Sequence, residues 1–405
     1  KTHLNTAMKK LFVIANWMQG TALSGGDRIF IELVKRWDSK FQITLFLSKE
    51  GAAICKRQNL RNPSVIIWSS DLLTGISYFI NYSYRTCTGI YKSLFAPIAP
   101  GDLVISTSDF WPDSLPAFFM KLRKPKITWA AGFFLFAPKP WKKNNPYTGK
   151  LWIKGFLFWL TQQFSYYFIK HFADVVLVES EPDIKPFITD KRPSSKILAI
   201  RGGVDLAPSK AYLKLSGGLN AEGKAYDACF VGRLHYQKGV LLLPKIWKEV
   251  FNKRPHARLA VIGTGPLEEQ LRSEIGHLGL ENNIDLLGFR DQGPKYEIFK
   301  QSKLVLHPAT YDSGGMAAAE AMAWGLPGVS FDLEALKTCY PKGMVKTKCF
   351  EISEFAENIL RLILDQNYYE VNSREALELI EEKWNWDHRA EWVYNQIVNH
   401  SSKTK

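Results

Sequence analysis

The chain has 405 residues, 46% of them hydrophobic, and a formal charge of +14. That composition excludes global disorder, and at roughly 100–200 residues per domain it predicts two or three domains. The positive charge predicts a partner of opposite sign, whether nucleic acid, a phosphorylated substrate or an anionic membrane.

In chain order, MKKLFVIANW (8–17) has the outline of a signal peptide. Its apolar core, 11–15, is too short for one, and a buried first strand is expected instead. No stretch of about 20 uncharged apolar residues follows, so no membrane-spanning helix is expected. Apolar runs at 11–15, 43–47, 65–68, 103–106, 127–129 and 175–178 predict a first series of strands. Runs at 228–231, 258–262, 284–287, 304–307 and 328–331 predict a second. These runs are continuous rather than alternating, as in parallel strands covered on both faces. Helical stretches separate them, so the fold class is α/β, with two doubly wound, Rossmann-like domains.

RGGVDLAPSK (201–210) closes the first series, and the polar, glycine-rich stretch 215–226 follows. The expected organisation is a first domain over 1–206, a second over 207–383, and a terminal helix over 384–405. In that helix Trp386, Ala390, Val393, Tyr394 and Ile397 share one face, which is expected to return to the first domain. Five scattered cysteines, Cys55, Cys87, Cys229, Cys339 and Cys349, include no CxxC pair. An odd set of this kind predicts structural thiols in a reducing compartment, the cytosol.

One segment is biased in charge. Between Asp113 and Asp174 there is no acid, while Lys121, Arg123, Lys124, Lys126, Lys139, Lys142, Lys143, Lys150, Lys154 and Lys170 are interleaved with Trp129, Phe133, Phe134, Phe136, Trp141, Trp152, Phe156, Phe158, Trp159 and Phe164. Aromatic rings among lysines suit an anionic headgroup layer. The competing account is a solvated lysine face over core aromatics, and the strand at 127–129 is core on either account.

The stretch TYDSGGMAAAEAMAWGLPGV (310–329) carries the sharpest chemical signal. Ser313, Gly314 and Gly315 predict a turn, and a helix is expected from there to Trp324, with Gly325 and Pro327 ending it. A glycine turn at a helix start bares backbone N–H groups to an anion. Glu320 lies among alanines and methionines. A buried carboxylate needs partners, and a vicinal diol such as a ribose supplies two donors. The alternative is a structural pairing with an arginine or with backbone amides.

This stretch resembles the E-x7-E motif of retaining glycosyltransferases of the GT-B fold, the glycogen-synthase-like and sucrose-synthase-like family. In this chain the motif is D-x7-E, with Asp312 first and Glu320 second. The resemblance implies that Glu320 binds the donor ribose, that Asp312 lies by the donor sugar, and that Gly314, Gly315 and Met316 face the donor. ACFVGRLHYQKGV (228–240) resembles the family's phosphate loop, which implies that Arg233 and Lys238 hold the diphosphate. Two fixed cations stabilise charge on that leaving group without a metal. LAVIGTGPLEEQL (259–271) resembles its GxGP strand, with Gly263 and Gly265 beneath the nucleotide. IDLLGFRD (284–291) resembles the base-holding loop, with Gly288, Phe289 and Arg290. In NWMQGTALSGGDRIFIELVKRW (16–37), Gly25 and Gly26 are expected in a loop facing the donor, before a helix that starts at about Asp27.

Two departures stand out. Gly202 occupies the asparagine position of the family's NGVD. No histidine follows the strand at 127–129, where Ala130, Ala131 and Gly132 stand. Asp109 is a nearby strand-end acid that offers an acceptor-side substitute, and a helix N-cap is the simpler role for it.

The expected function is transfer of a hexose-type sugar from a nucleoside-diphosphate sugar to a lipid-linked or polysaccharide acceptor. The enzyme is expected to be cytoplasmic, at an anionic membrane surface, with no cofactor and no metal. The competing functions are a nucleotide-sugar epimerase of the same fold and a non-catalytic nucleic-acid binder. No nucleic-acid motif accompanies the charge, so no nucleic-acid partner is expected.

Overall fold

The structure, a computed structural model, describes residues 8–20, 23–60, 62–142, 145–215 and 223–402. The glycines of 216–218, Lys143 and the side chain of Lys150 lie outside it. The described residues of Lys1–Lys139, Ile153–Gly202 and Trp386–Lys405 make one compact unit, and those of Pro140–Trp152 and Gly203–Asn385 make a second.

The first unit is built on β1 (Lys10–Ala15), β2 (Gln42–Ser48), β3 (Ser64–Ser69), β4 (Leu103–Ser106), β5 (Thr128–Phe133), β6 (Val175–Val178) and β7 (Ile197–Ala199). They form one sheet in the order β3-β2-β1-β4-β5-β6-β7, with every pair parallel. Val13 lies in register between Leu45 and Ile105, so three aliphatic side chains run abreast across the middle. Phe46 stacks on Trp68 with ring centroids 4.3 Å apart, filling the core beside β2 and β3. β5 runs four residues past the expected 127–129. Ala130, Ala131 and Gly132 are therefore buried inside the strand rather than at its end. The C-terminal helix Trp386–Ser402 packs in this unit. The Trp37 indole donates to the Ala390 carbonyl at 3.0 Å, and Arg36 pairs with Asp387 at 2.6 Å.

The second unit holds β8 (Tyr226–Val231), β9 (Leu259–Ile262), β10 (Ile284–Leu286), β11 (Ser302–His307), β12 (Gly328–Phe331) and β13 (Met344–Thr347). Their order is β10-β9-β8-β11-β12-β13, again all parallel. Trp247 is fully buried beneath this sheet among Phe230, Leu259 and Ile359. β7 (ILA) and β13 (MVKT) are not among the expected strands, and in β13 Lys346 interrupts the apolar run. In both sheets the strand order reverses once, at β1/β4 and at β8/β11. Helices depart to opposite faces there, which leaves a crevice outside the carboxyl ends of those strands.

Loops at the carboxyl edge of the second sheet are sewn together by backbone. Gly232 N–H donates to the Ile262 carbonyl at 3.0 Å, Leu234 N–H to Thr264 at 3.0 Å, and Gly263 N–H to Gly288 at 2.9 Å. Such close approach requires glycine. Gly263 has φ +143°, and a Cβ there falls 1.8 Å from the Gly232 carbonyl oxygen. At Gly265 a Cβ falls 2.4 Å from the Leu234 oxygen. Gly263→Ala is expected to cost about 3 kcal/mol, combining backbone strain with overpacking. Urea denaturation of the purified variant measures it, and an unchanged midpoint refutes the close-approach role.

Candidate active site

The crevice at β8/β11 gathers most of the residues singled out in the sequence. β8 delivers the loop holding Arg233 and Lys238, and β11 delivers Pro308 to Gly315. The two loops meet directly. Asp312 Oδ2 accepts from Lys238 Nζ at 2.6 Å and from His307 Nε2 at 2.9 Å. Asp312 Oδ1 accepts from Ser313 N–H at 2.9 Å and Gly314 N–H at 3.5 Å. Burial opposes the charge, yet Lys238 and His307 outweigh it and hold the carboxyl far below the usual carboxylate range. Asp312 is thus the anion that organises this turn, with both oxygens occupied by the chain's own donors.

His307 has no counterpart in the sequence reading. It is the last residue of β11, buried, and Gly315 leaves room for it: a Cβ at Gly315 falls 2.9 Å from His307 Nε2. Gly315 itself has φ +66° and caps the helix Met316–Met322, which is shorter than the expected span to Trp324. The Tyr340 hydroxyl donates to the Gly315 carbonyl at 2.7 Å, fixing the turn from below. Met316 opens the helix half-buried, its side chain packed against the core beneath.

Glu320 is not the lone carboxylate that its apolar neighbours imply. Lys295 Nζ donates to its Oε2 at 2.7 Å and to Asp291 at 3.2 Å. Burial disfavours the ammonium, but the two acids outweigh it and raise the Lys295 pKa above its ordinary value. Glu320 Oε1 takes no hydrogen bond from the described residues. Lys295 comes from the helix Gln292–Lys300, whose pattern gives no hint of a buried cation.

Arg233 is exposed, and its guanidinium meets no partner among the described residues. Next to it, burial first and then Arg233 and Lys238 push His235 down to about 4, so its imidazole is neutral at neutral pH. Gly263, Gly265 and Gly288 lie in the sewn loops, and Phe289 and Arg290 are exposed at their rim. Gly25 and Gly26 belong to the first unit. They are the first two residues of the helix Gly25–Trp37 rather than a loop before it. Ser24 and Asp27 close a capping box around them, which moves the helix start ahead of Asp27.

The crevice at β1/β4 in the first unit holds buried acids. Asp113 accepts from Trp17 N–H at 2.9 Å and from Ser108 Oγ at 2.5 Å, and burial pushes it up to about 7. Asp109 is also buried and raised to about 6, and Gln162 donates to it at 2.9 Å. Phe110, not Asp109, is the N-cap of the helix Trp111–Arg123.

Residues 214–379 match the model of the family described as glycosyl transferases group 1. An uncharacterized glycosyltransferase of Methanocaldococcus jannaschii is 28% identical over 176 residues, 41% of this chain and 43% of that protein. The poly(glycerol-phosphate) alpha-glucosyltransferase of Bacillus subtilis is 26% identical over 186 residues, 44% of this chain and 27% of that one. The matched stretches span less than half the length of these curated relatives. Among solved structures, Anabaena Alr3699/HepE in complex with UDP and glucose superposes with a TM-score of 0.69 at 15% identity, covering 97% of this chain and 100% of that one. The likeness shows the fold, which is GT-B.

The Asp312 cluster makes stability depend on pH with a definite sign. A carboxyl held below its unfolded value of about 3.9 contributes its full stability above that pH and loses it as pH falls. Asp312→Asn is therefore expected to lose about 3 kcal/mol at pH 7, the lower end for breaking a buried ion pair. The deficit is expected to shrink below about pH 4, where wild-type Asp312 also begins to lose its advantage. Chemical denaturation from pH 3 to pH 7 tests this, and a pH-independent deficit refutes it.

Proposed function

We propose that the chain is a retaining glycosyltransferase that moves a hexose from a nucleoside-diphosphate sugar to a lipid-linked or polysaccharide acceptor. The observation that carries this reading is the meeting of the loops after β8 and β11 at the strand-order reversal, where Arg233 stands free beside the Lys238–Asp312 pair. The matching family model and the similar glycosyltransferases support transfer over epimerisation or nucleic-acid binding.

In this reading the diphosphate lies against Arg233 and Lys238. Their fixed charge stabilises the diphosphate as the glycosidic bond to it breaks. Glu320 Oε1 accepts from a ribose hydroxyl while Lys295 compensates Oε2. The backbone of Gly314 and Gly315, held by Asp312 and Tyr340, approaches the donor sugar. The base lies over Gly263 and Gly265, near Gly288, Phe289 and Arg290. The oxygen of the acceptor hydroxyl forms the new bond to the anomeric carbon, and its proton leaves to the departing phosphate. Retention means that the hydroxyl enters on the face the phosphate leaves.

HepE was solved with UDP and glucose, which favours a uridine nucleotide and a hexose, and the B. subtilis relative is named for glucosyl transfer to poly(glycerol-phosphate). Because Arg233 and Lys238 carry the phosphate charge, the reaction is proposed to be metal-independent. Arg233→Ala and Lys238→Ala are each expected to lower turnover about 100-fold or more, with EDTA leaving the wild-type rate unchanged. Transfer from radiolabelled nucleotide sugars, with the anomer of the product read by NMR, tests the assignment. Wild-type turnover that both alanine variants retain overturns it.

We also propose a cytoplasmic site of action at an anionic membrane. The support is the helix Trp152–Phe172, which turns the usual pattern inside out. Its buried residues are Gly155, Gln162, Ser165 and Ile169, whereas Trp152, Ile153, Leu160, Phe164, Tyr167 and Phe172 are exposed. Trp129 is fully buried core, as expected of the strand at 127–129, and Phe133, counted among the interfacial aromatics in the sequence, is buried as well. No helix among the described residues is long and apolar enough to cross a membrane. An exposed apolar face among lysines suits a helix lying in the headgroup layer, with each nearby cation adding about 1 kcal/mol. Phe164→Asp with Tyr167→Asp is expected to abolish sedimentation with phosphatidylglycerol vesicles while leaving the melting temperature unchanged. Retained sedimentation of the folded double variant refutes this surface.

A further inference from the structure

The segment Pro140–Trp152 comes from the first half of the chain yet belongs to the second compact unit. Its reach is specific. The Tyr147 hydroxyl accepts from Gln237 Nε2 at 3.3 Å, across 90 positions of sequence. The Tyr147 ring meets the His235 imidazole edge-on, with centroids 6.2 Å apart. Burial raises the Tyr147 phenol above its ordinary value, and the Arg233 guanidinium works against that rise, which places the cation nearby. All three neighbours lie on the loop that carries Lys238.

Gln237 joins that loop to the next. Its backbone carbonyl accepts from Thr310 N–H at 3.0 Å and from Tyr311 N–H at 3.3 Å, the two residues before Asp312. The Gln237 side chain thus faces Tyr147 while its main chain ties the loop after β8 to the loop after β11. A cavity of about 430 Å³ opens beside this contact, lined by Asn145, Pro146, Tyr236, Gly239 and Thr310.

We infer that Tyr147 is a positioning residue for the phosphate loop: through Gln237 it holds the backbone that aims Arg233 and Lys238 at the diphosphate. The inference rests on the glycosyltransferase reading and adds to it a residue far from the motifs that carry that reading. It predicts an effect confined to the phosphates, because Tyr147 touches the phosphate loop and neither Glu320 nor the glycines of 263–265.

The test is calorimetric binding of UDP, GDP and ADP, each compared with its nucleoside, to the full chain. Tyr147→Phe removes only the hydroxyl and is expected to weaken diphosphate binding about 3- to 10-fold, as for one hydrogen bond, with nucleoside binding unchanged. Gln237→Leu is expected to give the same loss, and the double variant no more than either single one. Unchanged diphosphate affinity in Tyr147→Phe overturns the inference. So does an additive double variant, or an equal loss for diphosphate and nucleoside. The reading beneath it fails separately: if the unaltered protein binds no diphosphate, or if Arg233→Ala binds as tightly as wild type, both are overturned.

Discussion

A buried carboxylate with four donors on its two oxygens governs the second unit. Asp312 draws Lys238 from the loop after β8, His307 from the end of β11, and two amides of its own turn to one point. Removing Lys238 leaves a largely buried carboxylate without its ion-pair partner, which is costly. The arrangement also explains why an aspartate suits this position. A short side chain reaches back to the N–H groups one and two residues on, the geometry that aspartate favours in turns. A glutamate sits one methylene further out and gives up those contacts. The shortened acid therefore keeps the glycine turn rigid.

Around that point the fold supplies position more than chemistry. Reversal of strand order at β8/β11 opens a crevice, and three loops interlock there through main-chain hydrogen bonds. Glycine is required where backbones come closest, since a Cβ at Gly263 overlaps the Gly232 carbonyl. The result is a floor made of peptide groups, rigid and free of side-chain bulk, suited to a flat base and a charged pyrophosphate. Tyr340 and Lys295 work at the next layer out, one fixing the Gly315 carbonyl and the other balancing Glu320.

Much of this was legible in the sequence, for physical reasons. Parallel strands buried on both faces leave continuous apolar runs, so eleven strands showed as such, whereas in β13 Lys346 breaks the run and β7 is a three-residue strand at the sheet edge. Glycine spacing revealed the loops because only glycine permits those approaches. What stayed hidden depends on distant pairing. Nothing local marks Lys295 as the partner of Glu320, since 25 residues separate them. His307 reads as a strand end until the turn folds back onto it. Tyr147 lies in a segment that sequence order assigns to the first domain and the folded chain places in the second unit. The helix at Gly25 was displaced by two residues because its capping box begins at Ser24, ahead of two glycines that look like loop.

The electrostatics of the phosphate loop distinguish its two cations. Lys238 is committed: its ammonium is already balanced by Asp312, so it offers a ligand orientation and a partial charge. Arg233 is uncommitted and exposed, and its planar fork suits two phosphate oxygens at once. Between them His235 is kept neutral by burial and by both positive charges. A third cation there would compete with nothing, since Asp312 is already satisfied, and would only add repulsion in the free protein. The loop thus carries one fixed and one free positive charge. The neutral imidazole avoids the penalty of crowding a third positive charge beside them.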